Sequence, residues 1–305
     1  MKPLDPSPAP ETPFEVRPAG VADREQLANL MFFESHVHKH LDWKAPLDWL
    51  GCSPFMVLQE GPRISGALAC PPDPESIAWL RLFVFASHLG GHAAWGLLWS
   101  TVLPRLEAQG GCTAAAIATQ RWLDPILLES GFRLVNHIVL LETNTQMAPA
   151  PLTSAGCVIR PMLRDDLPRV VEVDSAAFDP LWRNSLEGLT NALSQACYAS
   201  VAEDRSGLLG YQLSTGGALG THLARLAVRP TAQRRGLGAA LVHDLVAHIP
   251  QGREPRLTVN TQSDNTASHA LYARLGFQRT GESFPVFAYD VKGADPTAQN
   301  GGVPH

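Results

Sequence analysis

The stretch LARLAVRPTAQRRGLGAALVHDLVAHI, residues 223–249, decides the fold. A strand ends at Val228, because the following Arg229-Pro230 turn removes the backbone N–H that a ladder needs. Gln233-Arg234-Arg235-Gly236-Leu237-Gly238-Ala239 then opens a helix. The first N–H groups of a helix have no internal acceptor, and the helix dipole places partial positive charge beside them. Glycine lets a phosphate approach the backbone, and Arg234 and Arg235 add charge at the same place. The segment has the make-up of a pyrophosphate site. It is not a dinucleotide-binding Rossmann turn, whose third glycine would fall at Leu241. It also lacks the Gly-Lys-Ser/Thr element of a Walker loop. The structural alternative is an Arg-rich start to an ordinary surface helix.

Working outward, the chain reads as a diverged repeat. Arg160-Pro161 stands 143 residues after Arg17-Pro18, and Asp166 stands 143 residues after Asp23. Each pair reads as a short strand running into an amphipathic helix with Asp near its start. LLESGF at 127–132 matches YARLGF at 272–277, with Gly131 and Gly276 as helix stops. An apolar strand follows in each half, at 135–142 and 285–291. In the middles, WLRLFVF at 79–85 and HLARLAV at 222–228 lead into helices at 93–108 and 236–248. Strands alternating with helices indicate an α/β fold. The expected organisation is a disordered tail at 1–13, a first domain at 14–143, a linker at 144–156, a second domain at 157–292 and a disordered tail at 293–305.

With 305 residues, 45% hydrophobic and 17% charged, the chain has enough apolar material for two cores. Lys and Arg number 24 against 29 Asp and Glu, for a net charge of −5, which argues against a nucleic-acid partner. No apolar run reaches the roughly 18 residues of a membrane span, and MKPLDPSPAPETP has no apolar core of a secretory signal. Cys52, Cys70, Cys112, Cys157 and Cys197 form no C-x-x-C pair, so neither a disulfide framework nor a zinc site is expected. These features fit a cytoplasmic chain, monomeric or homodimeric, with no metal and no membrane contact.

The segment Q-R-R-G-L-G-A after a strand ending in Leu226-Ala227-Val228 resembles the acetyl-CoA signature Q/R-x-x-G-x-G/A of the GNAT acetyltransferase superfamily. A second element, Asn265 through Ala270-Leu271-Tyr272 to Gly276-Phe277, resembles the superfamily's N-x-x-A-x-x-x-Y-x-x-x-G-F helix. The resemblance implies two tandem GNAT-like α/β domains. Each would be a mixed, mostly antiparallel sheet with a splayed central parallel strand pair flanked by helices. It also implies acetyl-CoA as cosubstrate and acetyl transfer to a primary amine, on a small molecule or a protein N-terminus, by direct attack in a ternary complex. The pantetheine arm would pair with Leu226, Ala227 and Val228, and the pyrophosphate would sit on N–H groups of Arg234, Arg235, Gly236, Leu237, Gly238 and Ala239. Asn265 would face the cofactor arm, and Tyr272 would protonate the departing thiolate.

Ribosomal-protein alanine acetyltransferases, a related group, carry Glu five residues before the motif Asn, where this chain has Asn260. Arylalkylamine acetyltransferases are similar in placing a His on the cofactor strand, which makes His222 the candidate base. By simple alternation His222 shares a face with Ala224 and Leu226. A hydrogen-bonded strand histidine is the structural alternative. The acceptor region is expected at 172–189, where Glu172, Asp174 and Asp179 would attract a cationic amine and Phe178 and Trp182 would wall it. These residues equally suit a solvated face and core aromatics.

The internal alignment predicts a degenerate first half. Aligning Val84 with Val228 puts His92 at the place of Gly236 and Ala94 at that of Gly238. Leu127 replaces Tyr272, and Gln120 replaces Asn265. His36, His38 and His40 alternate and are expected on a polar acceptor-side surface rather than as metal ligands. Two alternatives stand beside the amine acetyltransferase. One is a mycothiol-synthase-like tandem enzyme acetylating a cysteinyl amine, a family similar in length and in its paired halves. The other is a non-catalytic acyl-CoA sensor or scaffold.

Overall fold

The computed structural model describes residues 14–144, 156–217, 220–248 and 256–293. The expected tails, apart from Gly293, and nearly all of the expected linker lie outside the described residues. In the first half the order is β1 (Phe14–Pro18), α1 (Arg24–Phe33), β2 (Val37–Lys39), β3 (Phe55–Glu60), β4 (Arg63–Ala69), β5 (Ile77–Trp79) and β6 (Leu82–Phe85). It continues with α2 (Gly91–Ala108), β7 (Gly111–Ile117), α3 (Leu123–Glu129) and β8 (Arg133–Thr143). The second half contains β9 (Val158–Pro161), α4 (Leu167–Ala177), α5 (Leu186–Gln195), β10 (Tyr198–Asp204), β11 (Gly207–Gly217) and β12 (Gly220–Val228). It ends with α6 (Leu237–His248), β13 (Leu257–Gln262), α7 (Thr266–Arg274) and β14 (Gln278–Lys292).

The Arg-Pro repeat has a physical cause. Arg17 donates to both carboxylate oxygens of Asp23 at 2.7 Å, and Asp23 accepts the Gly20 N–H at 2.8 Å. Arg160 and Asp166 repeat this at 2.7 and 2.9 Å, with the Leu163 N–H at 2.9 Å. In each half a forked charge pair ties the first strand to the entry of the first helix. Apolar residues then cover each sheet: Val170 and Val173 of α4 and Leu189 and Ala192 of α5 bury against Val201, Tyr211 and Leu213.

Both halves have the expected mixed sheet with a splayed parallel pair. In the first, β5 pairs parallel with β7 over Ile77–Trp79, after which β6 turns away into a five-stranded sheet, β1-β3-β4-β6-β2. In the second, β12 pairs parallel with β13 only over Thr221–Leu223. The remaining nine strands run β5-β7-β14-β8-β13-β12-β11-β10-β9. That order records an exchange of final strands. The end of β8, from the first half, lies antiparallel against β13, and the end of β14, from the second half, lies against β7. The two exchanged strands also pair with each other. Main-chain hydrogen bonds therefore run from one half into the other.

The Arg160 guanidinium beside Asp166 holds that carboxyl at about 2, below its ordinary 3.8. A depressed carboxylate contributes stability that is complete above its unfolded value and lost as pH falls through its folded value. Asp166→Asn should cost about 2 kcal/mol of folding stability at neutral pH. It should also flatten the acid-induced loss of stability between about pH 4 and pH 2, measured by denaturant unfolding at a series of pH values. An unchanged acid slope would show that the pair is not the source.

Candidate functional site

The helix start at 237 carries a shaped backbone. Arg234 has φ 61° and Gly236 has φ 82°, so the chain curls immediately before α6. A Cβ on Gly236 would meet nothing within 4 Å, so its glycine is required by conformation and not by crowding. Successive N–H groups around such a turn face a common concavity suited to an anion. The Arg234 and Arg235 side chains are exposed beside it, Arg235 lying 3.8 Å from Asp204. Leu237 is buried, which leaves its backbone as the part available to a ligand, and Ala239 is half-buried. Gly238 has a different reason from the one expected. Its Cβ would come within 3.2 Å of Leu271, so its small size seats α6 against α7.

The strand leading to this turn is open along part of one edge. Residues 225–228 of β12 pair with β11, while β13 pairs with β12 only as far as Leu223. Leu226, Ala227 and Val228 thus lie beside the gap between the parallel strands. Within β12 the register slips by one residue: Leu213 faces Arg225 and Ser214 faces Leu223, leaving Ala224 as a bulge. The slip overturns the expected alternation. Leu223 and Leu226 pack on the same core, beside α6 and α7. Arg225 reaches α4, and Ala227 joins the α4–α5 core. His222, next to Leu223, therefore lies on the Arg225 side of the sheet, opposite Leu226.

His222 Nδ1 shares a 2.8 Å hydrogen bond with Thr258 Oγ1 across the parallel pair. Burial lowers its pKa below the ordinary 6.5, so the ring is neutral at pH 7. Tyr272 lies on the other side of the sheet, packed with Leu223, Val259 and Phe277. Burial raises its phenol above the ordinary 10, so it keeps its proton at neutral pH. Asn265 is occupied differently from the expectation. Its Oδ1 accepts the Ser268 N–H at 3.0 Å as the N-cap of α7, and its amide donates to Gln262 at 3.3 Å. Capping accounts for its place in the motif.

The His222 side of the sheet is uncovered near the strand gap. Asn260 is exposed although β13 is flanked by β12 and β8. Thr258, Asn260 and Gln262 alternate along this face. Farther across, Ile138, Val286, Ile117 and Trp79 continue it under Leu181 and Trp182 of the second half. Trp79 and Trp182 are in contact, with ring centroids 5.6 Å apart, and His40 stacks on Trp79 at 4.6 Å. Lys44 pairs with Glu187 at 3.1 Å, and Trp43 packs against the second half's core. The first half thereby walls one side of the uncovered patch.

The expected acidic attractors are otherwise engaged. Asp174 is fully buried and paired with Arg225, and Glu172 pairs with Arg229 at 3.0 Å. Phe178 lies 3.6 Å beneath the Arg225 guanidinium. Of the three, Asp179 alone is exposed with no ion pair among the described residues. Sequence reading missed Arg225, Tyr211 and Trp79. The one available signal was a charged residue inside LARLAV, a strand that is otherwise apolar.

The first half does not repeat the cradle. Matching the helix starts puts Gly90 opposite Gly236 and His92 opposite Gly238, which corrects the earlier alignment. The turn from β6 to α2 spans residues 86–90, against 229–236 from β12 to α6, and Gly90 has φ −74°. At Gly91 a Cβ would come within 3.0 Å of both Phe85 and Ile126, so side chains fill the helix entry. His92 lies 3.2 Å from Glu129 on the surface. The three alternating histidines are not a polar surface. His38 is buried with its pKa pushed down to about 4, His40 stacks on Trp79, and His36 stacks on Phe85. Among the described residues, no group of three or more His, Cys, Asp or Glu is arranged to hold a metal. No described helix is long and apolar enough to cross a membrane.

The FR47-like protein family profile matches residues 217–284, the segment holding β12, the cradle and α7. A mycothiol acetyltransferase of Mycobacterium sp. (strain JLS) is 30% identical over 190 residues, covering 57% of this chain and 60% of that protein. The chain thus spans about three-fifths of the length of the curated relatives it matches. Among solved structures, a tandem GNAT protein from the clavulanic acid biosynthesis pathway superimposes with TM-score 0.62 at 16% identity, covering 93% of this chain and all (100%) of that one. A GCN5-related N-acetyltransferase from Sphaerobacter thermophilus superimposes with TM-score 0.57 at 17% identity, covering 92% and 97%. At such identities the match speaks to fold.

The His222 environment makes a direct prediction. Its imidazole should titrate below pH 6.5 in an NMR pH series, and Thr258→Val should alter the titration and the ring's chemical shifts. A midpoint above 6.5 would mean that the ring is not held in a buried, neutral state.

Proposed function

Taking as premise that this chain is a tandem GNAT-fold protein, we propose that its second half transfers an acetyl group from acetyl-CoA to a primary amine. The observation that carries this is one arrangement. The anion-shaped turn at Arg234–Gly236 adjoins the open edge of β12, with a neutral histidine on one side of the sheet and a protonated tyrosine on the other.

Acetyl-CoA, when bound, supplies an activated thioester. The turn and the first N–H groups of α6 hold its pyrophosphate, with Arg234 and Arg235 adding charge. The backbone of Leu226, Ala227 and Val228 receives the pantetheine arm as an extra strand. The uncovered patch around Asn260 admits the amine. The ammonium first gives one proton to solvent, the attacking nitrogen then loses a second to His222 directly or through one water, and exchange with solvent afterwards resets His222 and Tyr272. As the new N–C bond forms and the C–S bond breaks, Tyr272 returns a proton to the departing sulfur. The buried phenol keeps its proton until negative charge builds on the sulfur, which makes it the donor at that step. Direct transfer avoids any acyl-enzyme and requires both substrates together.

A second version has a specific observation in its favour. The curated relatives matched at 30% and 29% identity are named as mycothiol acetyltransferases. On that reading the amine belongs to a cysteinyl group, and the walled patch between the halves receives the rest of the acceptor. The test of function begins with calorimetry using acetyl-CoA. One site per chain is expected, since the first half lacks the cradle. Tyr272→Phe should keep the affinity for acetyl-CoA and lower kcat by roughly 10²-fold or more with any amine that wild type turns over. Binding with no turnover across amines, the cysteinyl glycoside included, would leave a sensor in place of an enzyme. No binding would end both versions.

A further inference from the structure

Arg225, largely enclosed with a side chain 15% exposed, stands outside the proposed chemistry. It follows the Ala224 bulge and stands where β12 first becomes open to the gap. Its Nε donates to Asp174 Oδ2 at 2.8 Å, and its Nη2 lies 2.7 Å from the same oxygen. Nη2 also donates to the Trp182 carbonyl at 2.5 Å, and the guanidinium stacks on Phe178 at 3.6 Å. Asp174 accepts the Asn184 N–H at 2.9 Å and the Tyr211 hydroxyl. In the amide orientation its neighbours require, Asn184 Oδ1 also accepts from Arg225 at 3.1 and 3.3 Å. One ion pair therefore grips the α4–α5 connection at its start, middle and end: Phe178, Trp182 and Asn184. The same connection carries Trp182 to Trp79 of the first half.

We propose that Arg225 is a positioning residue that couples occupancy of the β12 edge to the order of the 178–184 segment, and so to the wall of the acceptor patch. The coupling rests on the acetyl-CoA assignment of the second half. A ligand strand laid along residues 226–228 restricts the backbone immediately after Arg225. A guanidinium fixed at its base holds the Trp182 carbonyl and Phe178 in a single geometry. Lysine retains the charge but lacks the planar fork that grips a carboxylate, a carbonyl and a ring together. The acceptor wall, already assembled by these contacts, would then be held more tightly with the cofactor in place.

Amide hydrogen exchange with calorimetry tests this. In wild type, saturating acetyl-CoA should slow exchange at residues 179–185 by roughly tenfold or more. Arg225→Lys should bind acetyl-CoA within about threefold of the wild-type Kd yet lose that added protection. If the lysine variant folds poorly, the double variant Asp174→Asn with Arg225→Gln carries the test, because it leaves no unpaired buried charge. It is expected to show the same loss. Equal cofactor-dependent protection in wild type and in a variant with intact acetyl-CoA binding would overturn the proposal. So would wild type that binds acetyl-CoA without slowing the segment. A merely structural role would speed exchange equally with and without cofactor, which also counts against coupling. If wild type shows no calorimetric binding, the functional assignment fails and the coupling falls with it, an outcome separable from the others by the calorimetry alone.

Discussion

One extra residue in β12, Ala224, sets the geometry of the second half. Without the bulge, Leu223 and Arg225 would point to one face, and a charged side chain would enter the core that holds Tyr272 and Val259. With it, Leu223 and Leu226 both serve that core, while Arg225 turns toward α4. A bulge also strengthens local twist, which helps two parallel strands part after only three paired residues, Thr221–Leu223. The open edge, the neutral histidine on one face and the buried phenol on the other all follow from that parting.

The exchange of final strands supplies the second constraint. Neither half completes its own sheet: β13 relies on β8, and β7 relies on β14. A hinge between halves would have to break main-chain hydrogen bonds, so the wall that Trp79 and Trp43 form beside the second half is fixed by the same ladder. This gives the first half, which does not repeat the cradle, a physical task. Its β6–α2 turn is short and its helix entry is filled by Phe85 and Ile126, yet it still supplies a strand and a wall.

Much of this was legible in the sequence. The spacing of Arg17 and Asp23, repeated at Arg160 and Asp166, announced two copies of one strand-to-helix entry, and each pair forms a forked ion pair. The turn ending at Gly236 was legible because helix starts and positive φ leave strong local signals. The bulge was not, because Leu223-Ala224-Arg225-Leu226 has the same composition whether or not one residue is extra, and only the partner strand fixes the register. The exchange of strands was equally hidden. An apolar strand at a half's end buries the same surface in its own sheet or in its neighbour's. Asp174 misled because a carboxylate beside two aromatics in a helix connection looks like an attractor, while its partner Arg225 lies 51 residues away in sequence.

The buried Asp174–Arg225 pair is a costly way to hold a loop. Removing two charges from water consumes most of what their attraction returns, and an apolar pair of equal volume often serves stability as well. What an apolar pair lacks is direction. The carboxylate places one oxygen on the Asn184 N–H and the other on the guanidinium and Tyr211, and the guanidinium reaches a carbonyl that no hydrocarbon can hold. Attachments at defined angles, to the Trp182 carbonyl and the Asn184 N–H, restrict the arrangements open to the segment. For a connection between two helices that also carries Trp182 against Trp79 of the other half, a single arrangement matters more than the last increment of stability. That favours geometry as the reason for placing an ion pair here.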